Sequence, residues 1–201
     1  MPFTGCLPAA EMLASRWRAL LLALLGLLAG TAVLPAAEAV LAGRVVRVVD
    51  GDTLDVLLTS GRIRVRLHGV DAPERGQPGG QDALLWLSRR VLDHDVLVEP
   101  ISQDRYERLV GIVYLGGDNV NRELLRSGNA WAYRHYLRAA DAILCDMEAA
   151  ARTARLGLWK SASPRAPWEY RSTRGVGPFT DFAGSGAEDC RKASPRLHAP
   201  R

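Results

Sequence analysis

The chain has 201 residues, which is enough for one ordinary domain and too few for two well-packed ones. Its formal net charge is +4, but residues 161–201 hold seven Lys and Arg against four Asp and Glu, so residues 40–160 carry only +1. Net charge is therefore no strong argument for a polyanionic partner, and only local placement of arginines could indicate one. The three cysteines lack C-x-x-C or Cys/His spacing, which argues against a structural zinc site.

Residues 1–39 have the features of a secretory signal peptide. Arg16 and Arg18 precede a continuous apolar run, and the stretch ends in an A-x-A site at 37–39. The pattern predicts cleavage after Ala39 and a secreted or periplasmic protein. The alternative is an uncleaved segment that anchors the protein in the membrane, because apolar character continues almost to the end of the stretch.

Residues 40–160 have the pattern of one domain that combines a small β-barrel with helices. Three consecutive strands, then two more after a helix, suit a closed barrel better than a sandwich. We therefore expect an α+β fold with a five-stranded barrel and three α-helices. The predicted strands are 45–49, 53–58, 62–69, 96–101 and 109–115, and the predicted helices are 81–92, 120–127 and 139–156.

Residues 161–201 differ in composition from the domain before them. They are rich in Ser, Pro, Gly and Arg, so they cannot bury enough apolar surface to fold independently. Trp168 and Tyr170 are the side chains able to dock the first part of this tail on the domain. We interpret the segment as a C-terminal tail.

Five segments between residues 45 and 159 resemble the staphylococcal nuclease (thermonuclease) family, and they occur in the family's order. They are VVDGDT at 48–53, RLHGVDAPE at 66–74, DRYERLVG at 104–111, VNRELLRSGNAW at 120–131 and RLGLW at 155–159. Any one match would be weak, but five in order cover nearly the whole folded part. The resemblance implies a calcium-dependent phosphodiesterase on an OB-type barrel, which acts on a nucleic-acid substrate, cuts DNA and RNA and leaves 3′-phosphate ends. We expect endonucleolytic cleavage, although the sequence itself does not distinguish it from exonucleolytic cleavage. The sequence shows no sign of a stable protein partner or of oligomers, and we expect a monomer.

The resemblance also implies a metal site. Asp52 and Asp71 look like the calcium carboxylates, and Ala72 looks like the backbone-carbonyl ligand. Two carboxylates with a carbonyl and waters suit Ca²⁺, a hard cation that takes oxygen ligands. Ala72 stands where the family's best-known member has threonine, which costs little because only the carbonyl is needed. Taken singly, Asp52 could be a turn former and Asp71 could cap the next turn.

Three further residues are implied to act on the phosphate. Arg66 and Arg108 would hold it through planar, bidentate guanidinium groups, and Glu74 would be the general base or orient the attacking water. Glu107 departs from the family pattern, which has glycine before the second arginine. If that position needs a positive φ, a glutamate there costs on the order of 1 kcal/mol. Arg108 is therefore the less secure of the two arginines.

Tyr106 and Tyr133 are weaker candidates for stacking on a base, since ordinary barrel aromatics would look the same.

Two alternative functions remain open. One is a non-catalytic nucleic-acid-binding module, which would be expected to have lost some of the five charged site residues. The other is a membrane-anchored surface nuclease.

Cys145 and Cys190 are predicted to form a disulfide, because they are the two cysteines left after export. We expect the bond to pin the tail across the last helix. Helical spacing places Cys145 opposite an apolar stripe and therefore on an exposed face. The stripe is Ile143, Leu144, Met147, Ala150 and Ala154. The alternative is a free or intermolecular thiol.

Overall fold

A computed structural model of the chain describes residues 40–173 and residue 190. The predicted signal peptide lies outside these residues, as does most of the tail. No helix in the described part is long and apolar enough to cross a membrane. The strands are β1 (Leu41–Val48), β2 (Thr53–Leu58), β3 (Gly61–Leu67), β4 (Val70–Asp71), β5 (Asp95–Gln103), β6 (Leu109–Leu115), β7 (Asp118–Asn119) and β8 (Trp131–Ala132). The helices are α1 (Gly80–Val91), α2 (Val120–Arg126), α3 (Ala142–Thr153) and α4 (Pro167–Ser172).

Five strands close into a barrel, which confirms the predicted fold class. They are hydrogen-bonded in the order β3-β2-β1-β5-β6, and a parallel pairing of β3 with β6 joins the two ends. Alternate residues of the strands point inward, as the sequence pattern predicts for a half-buried sheet. Leu54, Val56, Val65 and Leu67 are therefore fully or almost fully buried. The barrel rigidly fixes the ends of β2 and β3, where the candidate site lies.

The three predicted helices are present at the predicted places. α1 buries Ala83, Leu87 and Val91 against the barrel, and the middle of α2 is buried as well. Asn121 in α2 is buried and donates to the carbonyls of His68 and Gly111, while its Oδ1 accepts from the Val113 amide. One asparagine thus satisfies backbone groups where β3 ends beside β6.

A fourth helix, α4, lies in the segment that the sequence assigned to the tail. Trp168 is only 5% exposed and packs edge-on against the fully buried Trp131. It also stacks in parallel on Tyr133, with ring centroids 6.1 Å apart. Residues 161–173 therefore pack on the domain, and Trp168 docks them as expected from the sequence.

Cys145 and Cys190 form a disulfide, as predicted. The predicted exposure of Cys145 is wrong, because the side chain is 3% exposed and belongs to the core. The buried face of α3 is rotated relative to the predicted stripe, and Ile143 is 41% exposed. Glu148 takes the place of an apolar residue on the buried face. The buried residues of α3 are Leu144, Cys145, Met147, Glu148 and Ala151.

Candidate active site

Two glycines let the backbone segments of the site approach one another closely. A Cβ on Gly51, in the turn between β1 and β2, would lie 2.6 Å from the Ala72 Cβ and 2.7 Å from the Ala83 Cβ. A Cβ on Gly80, the first residue of α1, would lie 2.0 Å from the Glu74 carbonyl oxygen. Both positions require glycine because no side chain fits there. The contacts bring the acidic turn at Asp52 against the loop that carries Glu74.

Arg66, on β3, bridges two carboxylates. Its Nη1 lies 2.7 Å from the Asp52 Oδ2, and its Nη2 donates to the Asp71 Oδ1 at 2.8 Å. The Asp71 side chain is 1% exposed and that of Arg66 is 12% exposed. Burial alone would lower the pKa of Arg66, but the charges of Asp52 and Asp71 raise it above its usual value. The guanidinium is therefore a fixed cation between two carboxylates.

Asp52 is held by further hydrogen bonds. Its Oδ2 accepts from the Ala72 amide at 2.7 Å, and its Oδ1 accepts from the Thr53 hydroxyl at 3.1 Å. Its own amide donates to the Oδ1 of Asp50 at 3.1 Å. Burial and the charge of Asp52 raise the pKa of Asp50 to about 7. Two acidic side chains, Asp50 and Asp52, thus share this buried corner beside Arg66.

Arg171, on α4, completes the cluster and was missed by reasoning from the sequence. Its Nη2 donates to the Asp71 Oδ2 at 2.7 Å, and its Nη1 donates to the Glu74 Oε1 at 2.8 Å. Burial raises the pKa of Asp71, while Arg171 and Arg66 oppose that rise. The signal for Arg171 in the sequence was weak. It consists of an arginine next to the two aromatic residues expected to dock the tail, Trp168 and Tyr170.

Arg108 has different hydrogen-bond partners from this cluster. Its Nε donates to the Asp104 Oδ2 at 2.7 Å, and its amide donates to the Oδ1 of the same carboxylate at 3.0 Å. Glu107 has φ 60°, so this position does require the left-handed conformation that glycine would favour. Arg108 lines a groove of about 590 Å³ that Arg62 and Arg64 also line. Hydrogen bonds and ion pairs therefore connect Asp52, Arg66, Asp71 and Glu74 to one another through Arg66 and Arg171, whereas the bonds of Arg108 in the described residues go to Asp104.

The two tyrosines have different arginine neighbours. Tyr133 is beside the cluster, with its ring centre 5.8 Å from the Arg66 guanidinium carbon. Burial and the charge of Asp71 raise the pKa of Tyr133 well above its usual value, so its hydroxyl stays protonated. Tyr106 is 63% exposed and lies against Arg108, 5.4 Å from ring centre to guanidinium carbon. Each tyrosine thus accompanies one of the two arginines predicted to hold phosphate.

The chemistry of the donor set fits Ca²⁺. Asp52, Asp71 and the turn around them offer hard oxygen atoms, and the Asp50 carboxyl, which accepts from the Asp52 amide, adds a further acidic side chain at the same turn. Within residues 40–173 and 190, no three Asp, Glu, His or Cys side chains converge as a complete metal cage. A site here would draw on two carboxylates, a backbone carbonyl and water, which is within the range that Ca²⁺ accepts.

Comparison with known proteins shows to which family the chain belongs. The family described as staphylococcal nuclease homologues matches residues 64–161. The chain is 42% identical over 138 residues to a micrococcal nuclease of Shigella flexneri, an alignment that covers 64% of this chain and 79% of that protein. The chain belongs to the staphylococcal nuclease family.

Two other relatives align with nearly the same length of this chain. Protein ParB of Escherichia coli is 41% identical over 144 residues, which cover 67% of this chain and 81% of that protein. An uncharacterized endonuclease of Haemophilus influenzae is 35% identical over 140 residues, which cover 69% of this chain and 78% of that protein. The predicted family is therefore confirmed.

Proposed function

We propose that the protein is an exported, calcium-dependent nuclease that hydrolyses phosphodiester bonds of DNA, RNA or both, endonucleolytically and with 3′-phosphate products. The observation that carries the proposal is Arg66 between two buried carboxylates, with Glu74 at the same edge. Family membership and nuclease relatives at about 40% identity support hydrolysis of nucleic acid. Export rests on the sequence of residues 1–39, and the membrane-anchored form stays its alternative.

In this mechanism, Asp52, Asp71 and the Ala72 carbonyl would hold a calcium ion. When bound, the ion would supply positive charge that stabilises the developing negative charge of the phosphate. Arg66 places a second fixed cation at the phosphate, and its buried ion pairs keep it from reorganising during the reaction. A cation that does not reorganise stabilises developing negative charge most strongly.

Glu74 and Arg108 have the remaining roles. The Glu74 carboxylate is 43% exposed, so it can reach water and accept its proton. Arg108 is oriented through its Nε by Asp104, and no carboxylate of the described residues engages its two terminal nitrogens. Those nitrogens are available for a phosphate oxygen. Tyr106 and Tyr133, beside the two arginines, are suited to contact the bases or sugars of the substrate.

The proposal is tested with purified residues 40–201 on single-stranded DNA, double-stranded DNA and RNA, with calcium and with chelator. We expect cleavage only with calcium, internal cuts and 3′-phosphate ends. Glu74→Gln should lower turnover by about 10²-fold or more, since a general base is lost. Nucleic-acid binding without cleavage would favour the alternative of a non-catalytic module. Undiminished cleavage by Glu74→Gln, or cleavage in chelator, would contradict the assignment.

A further inference from the structure

Arg171 makes the strongest contacts in the site that the proposed mechanism leaves unused. Its guanidinium reaches both oxygens of Asp71, at 3.3 and 2.7 Å, and the Glu74 Oε1 at 2.8 Å. The charge of Asp71 and the hydrogen bonds to Asp71 and Glu74 raise the pKa of Arg171, although burial opposes this. Arg171 is therefore a permanent cation directly between a predicted metal ligand and the predicted general base.

The segment that carries Arg171 is built to hold it there. The Gln77 side chain accepts from the Glu74 amide at 3.2 Å and donates to the Arg165 carbonyl at 2.7 Å. The Tyr170 hydroxyl donates to the Gly76 carbonyl at 2.9 Å. Together with the bond from Arg171 to Glu74, these bonds link the loop that carries Glu74 to segment 165–171 at three separate points. Such a set of contacts positions a side chain and is unlike a chance surface ion pair.

Burial of α4 and of the residue before it also holds Arg171 in position. Ala166, directly before α4, is fully buried, and Trp168 packs against both Trp131 and Tyr133. Arg171 also lies 5.9 Å from the centre of the Tyr133 ring. The helix therefore has little freedom to move its arginine away from Asp71.

We propose that Arg171 is a further active-site residue, a built-in counter-ion that orients Asp71 and Glu74 and competes with a dication for Asp71. This rests on the proposed function, which makes Asp71 a metal ligand. Both oxygens of Asp71 already have guanidinium partners, Arg66 and Arg171 at Oδ1 and Arg171 at Oδ2. A dication at Asp71 has to share or replace one of those contacts, and the nearby positive charge opposes it.

Calcium titration by calorimetry tests the competition without measuring activity. Arg171→Gln removes the charge, and we expect its calcium Kd to be about tenfold lower than that of the unchanged protein. Arg171→Lys keeps the charge but lacks the planar fork that contacts both oxygens of Asp71, so its Kd should lie between the two. Arg165→Gln is the matched control, because it removes one charge from the same segment, and its side chain contacts the Glu169 carbonyl, the Thr173 hydroxyl and the Tyr170 ring rather than Asp71 or Glu74.

Thermal unfolding in chelator tests the counter-ion role independently of calcium. Arg171→Gln leaves Asp71 with one cationic partner, so the unfolding temperature should fall by about 5 °C, whereas Arg165→Gln should change it little. An unchanged unfolding temperature for Arg171→Gln overturns the counter-ion role. An unchanged or higher calcium Kd for the same variant overturns the competition.

The two proposals fail in different ways. If the unchanged protein binds calcium, and Asp71→Asn abolishes that binding, the proposed metal site stands and the Kd of Arg171→Gln alone decides the inference. If only Arg171→Gln binds calcium, the competition is supported in its strongest form. If neither protein binds calcium, the calcium part of the proposed function and the competition are both overturned.

Discussion

The two arginines predicted to hold the phosphate, Arg66 and Arg108, have very different surroundings. Arg66 lies on a barrel strand, is 12% exposed, and is fixed by two carboxylates, Asp52 before it and Asp71 after it in the sequence. Arg108 follows a turn at the start of β6, is 26% exposed, and pairs with one carboxylate four residues away. The first arrangement is buried and joins two carboxylates, and the second has one carboxylate of its own turn and is open to water.

This difference shows which of the two arginines contributes to the stability of the fold. Burying Asp71 is costly unless cations are held beside it, so Arg66 contributes to stability in addition to its proposed role in catalysis. The pair of Arg108 with Asp104 is screened by water and adds little to stability. The Arg66 end is therefore preorganised by the fold itself, whereas the Arg108 end is arranged by its own turn.

The largest expected effect separates the two ends by stability. Arg66→Ala leaves Asp52 and Asp71 without their shared partner, so the free energy of unfolding should fall by about 3 kcal/mol. Arg108→Ala should lower it by no more than about 1 kcal/mol. Both variants should lose about 10²-fold or more in turnover, since each removes a charge held at the phosphate.

Urea unfolding in chelator and steady-state cleavage with calcium measure the two quantities. Equal losses of stability would mean that the contrast between a buried and an open arginine has no energetic basis. Unchanged turnover of Arg108→Ala in folded protein would remove Arg108 from the site.

A pH-dependent effect tests the burial of Asp50 beside Asp52 at the Arg66 end. The pKa of Asp50 is about 7 in the folded protein against an ordinary value of 3.8, so the folded state binds more protons than the unfolded state between these values. Stability should therefore fall as pH rises from about 4 to about 7. Asp50→Asn abolishes this titration, and its Oδ1 can still accept from the Asp52 amide.

We expect Asp50→Asn to be more stable than the unchanged protein by about 3–4 kcal/mol at pH 8 in chelator, with the difference vanishing near pH 4. Denaturant unfolding at several pH values measures this. Asp95→Asn, at an exposed carboxylate paired with Arg44, is the control and should show no such trend. A stability difference that is the same at every pH would contradict the raised pKa.

The sequence predicted the barrel well because its signals are local. Alternation along β2 and β3 and a short turn between them specify which side chains point inward, and both strands appear at the predicted places. The same logic was wrong for α3, where Glu148 is buried. Its carboxylate is neutralised by Arg134 at 2.7 Å and Arg152 at 2.8 Å, and hydrophobic periodicity cannot show such a pairing.

The candidate site was predictable in part for the same reason. Asp52, Arg66, Asp71 and Glu74 lie within one run of strands and turns, so their meeting follows from the hairpin register. Arg171 reaches Asp71 across 100 residues, through the docking of α4 on Trp131. That contact depends on the path of the chain, which neither composition nor spacing specifies.

The smallest expected effect tests the Arg108 end at its turn. Glu107 has φ 60°, a conformation that costs a non-glycine residue on the order of 1 kcal/mol. Glu107→Gly should relieve that cost, partly offset by the greater freedom of glycine in the unfolded chain, so stability should stay the same or rise by up to about 1 kcal/mol. Turnover should stay intact or rise, because a carboxylate next to Arg108 is removed.

Glu107→Gln keeps the side-chain length and the strain but removes the charge, so comparing the two variants separates the backbone effect from the electrostatic one. A large loss of turnover in folded Glu107→Gly, with normal turnover in Glu107→Gln, would mean that a stiff turn before Arg108 matters more than relief of its strain.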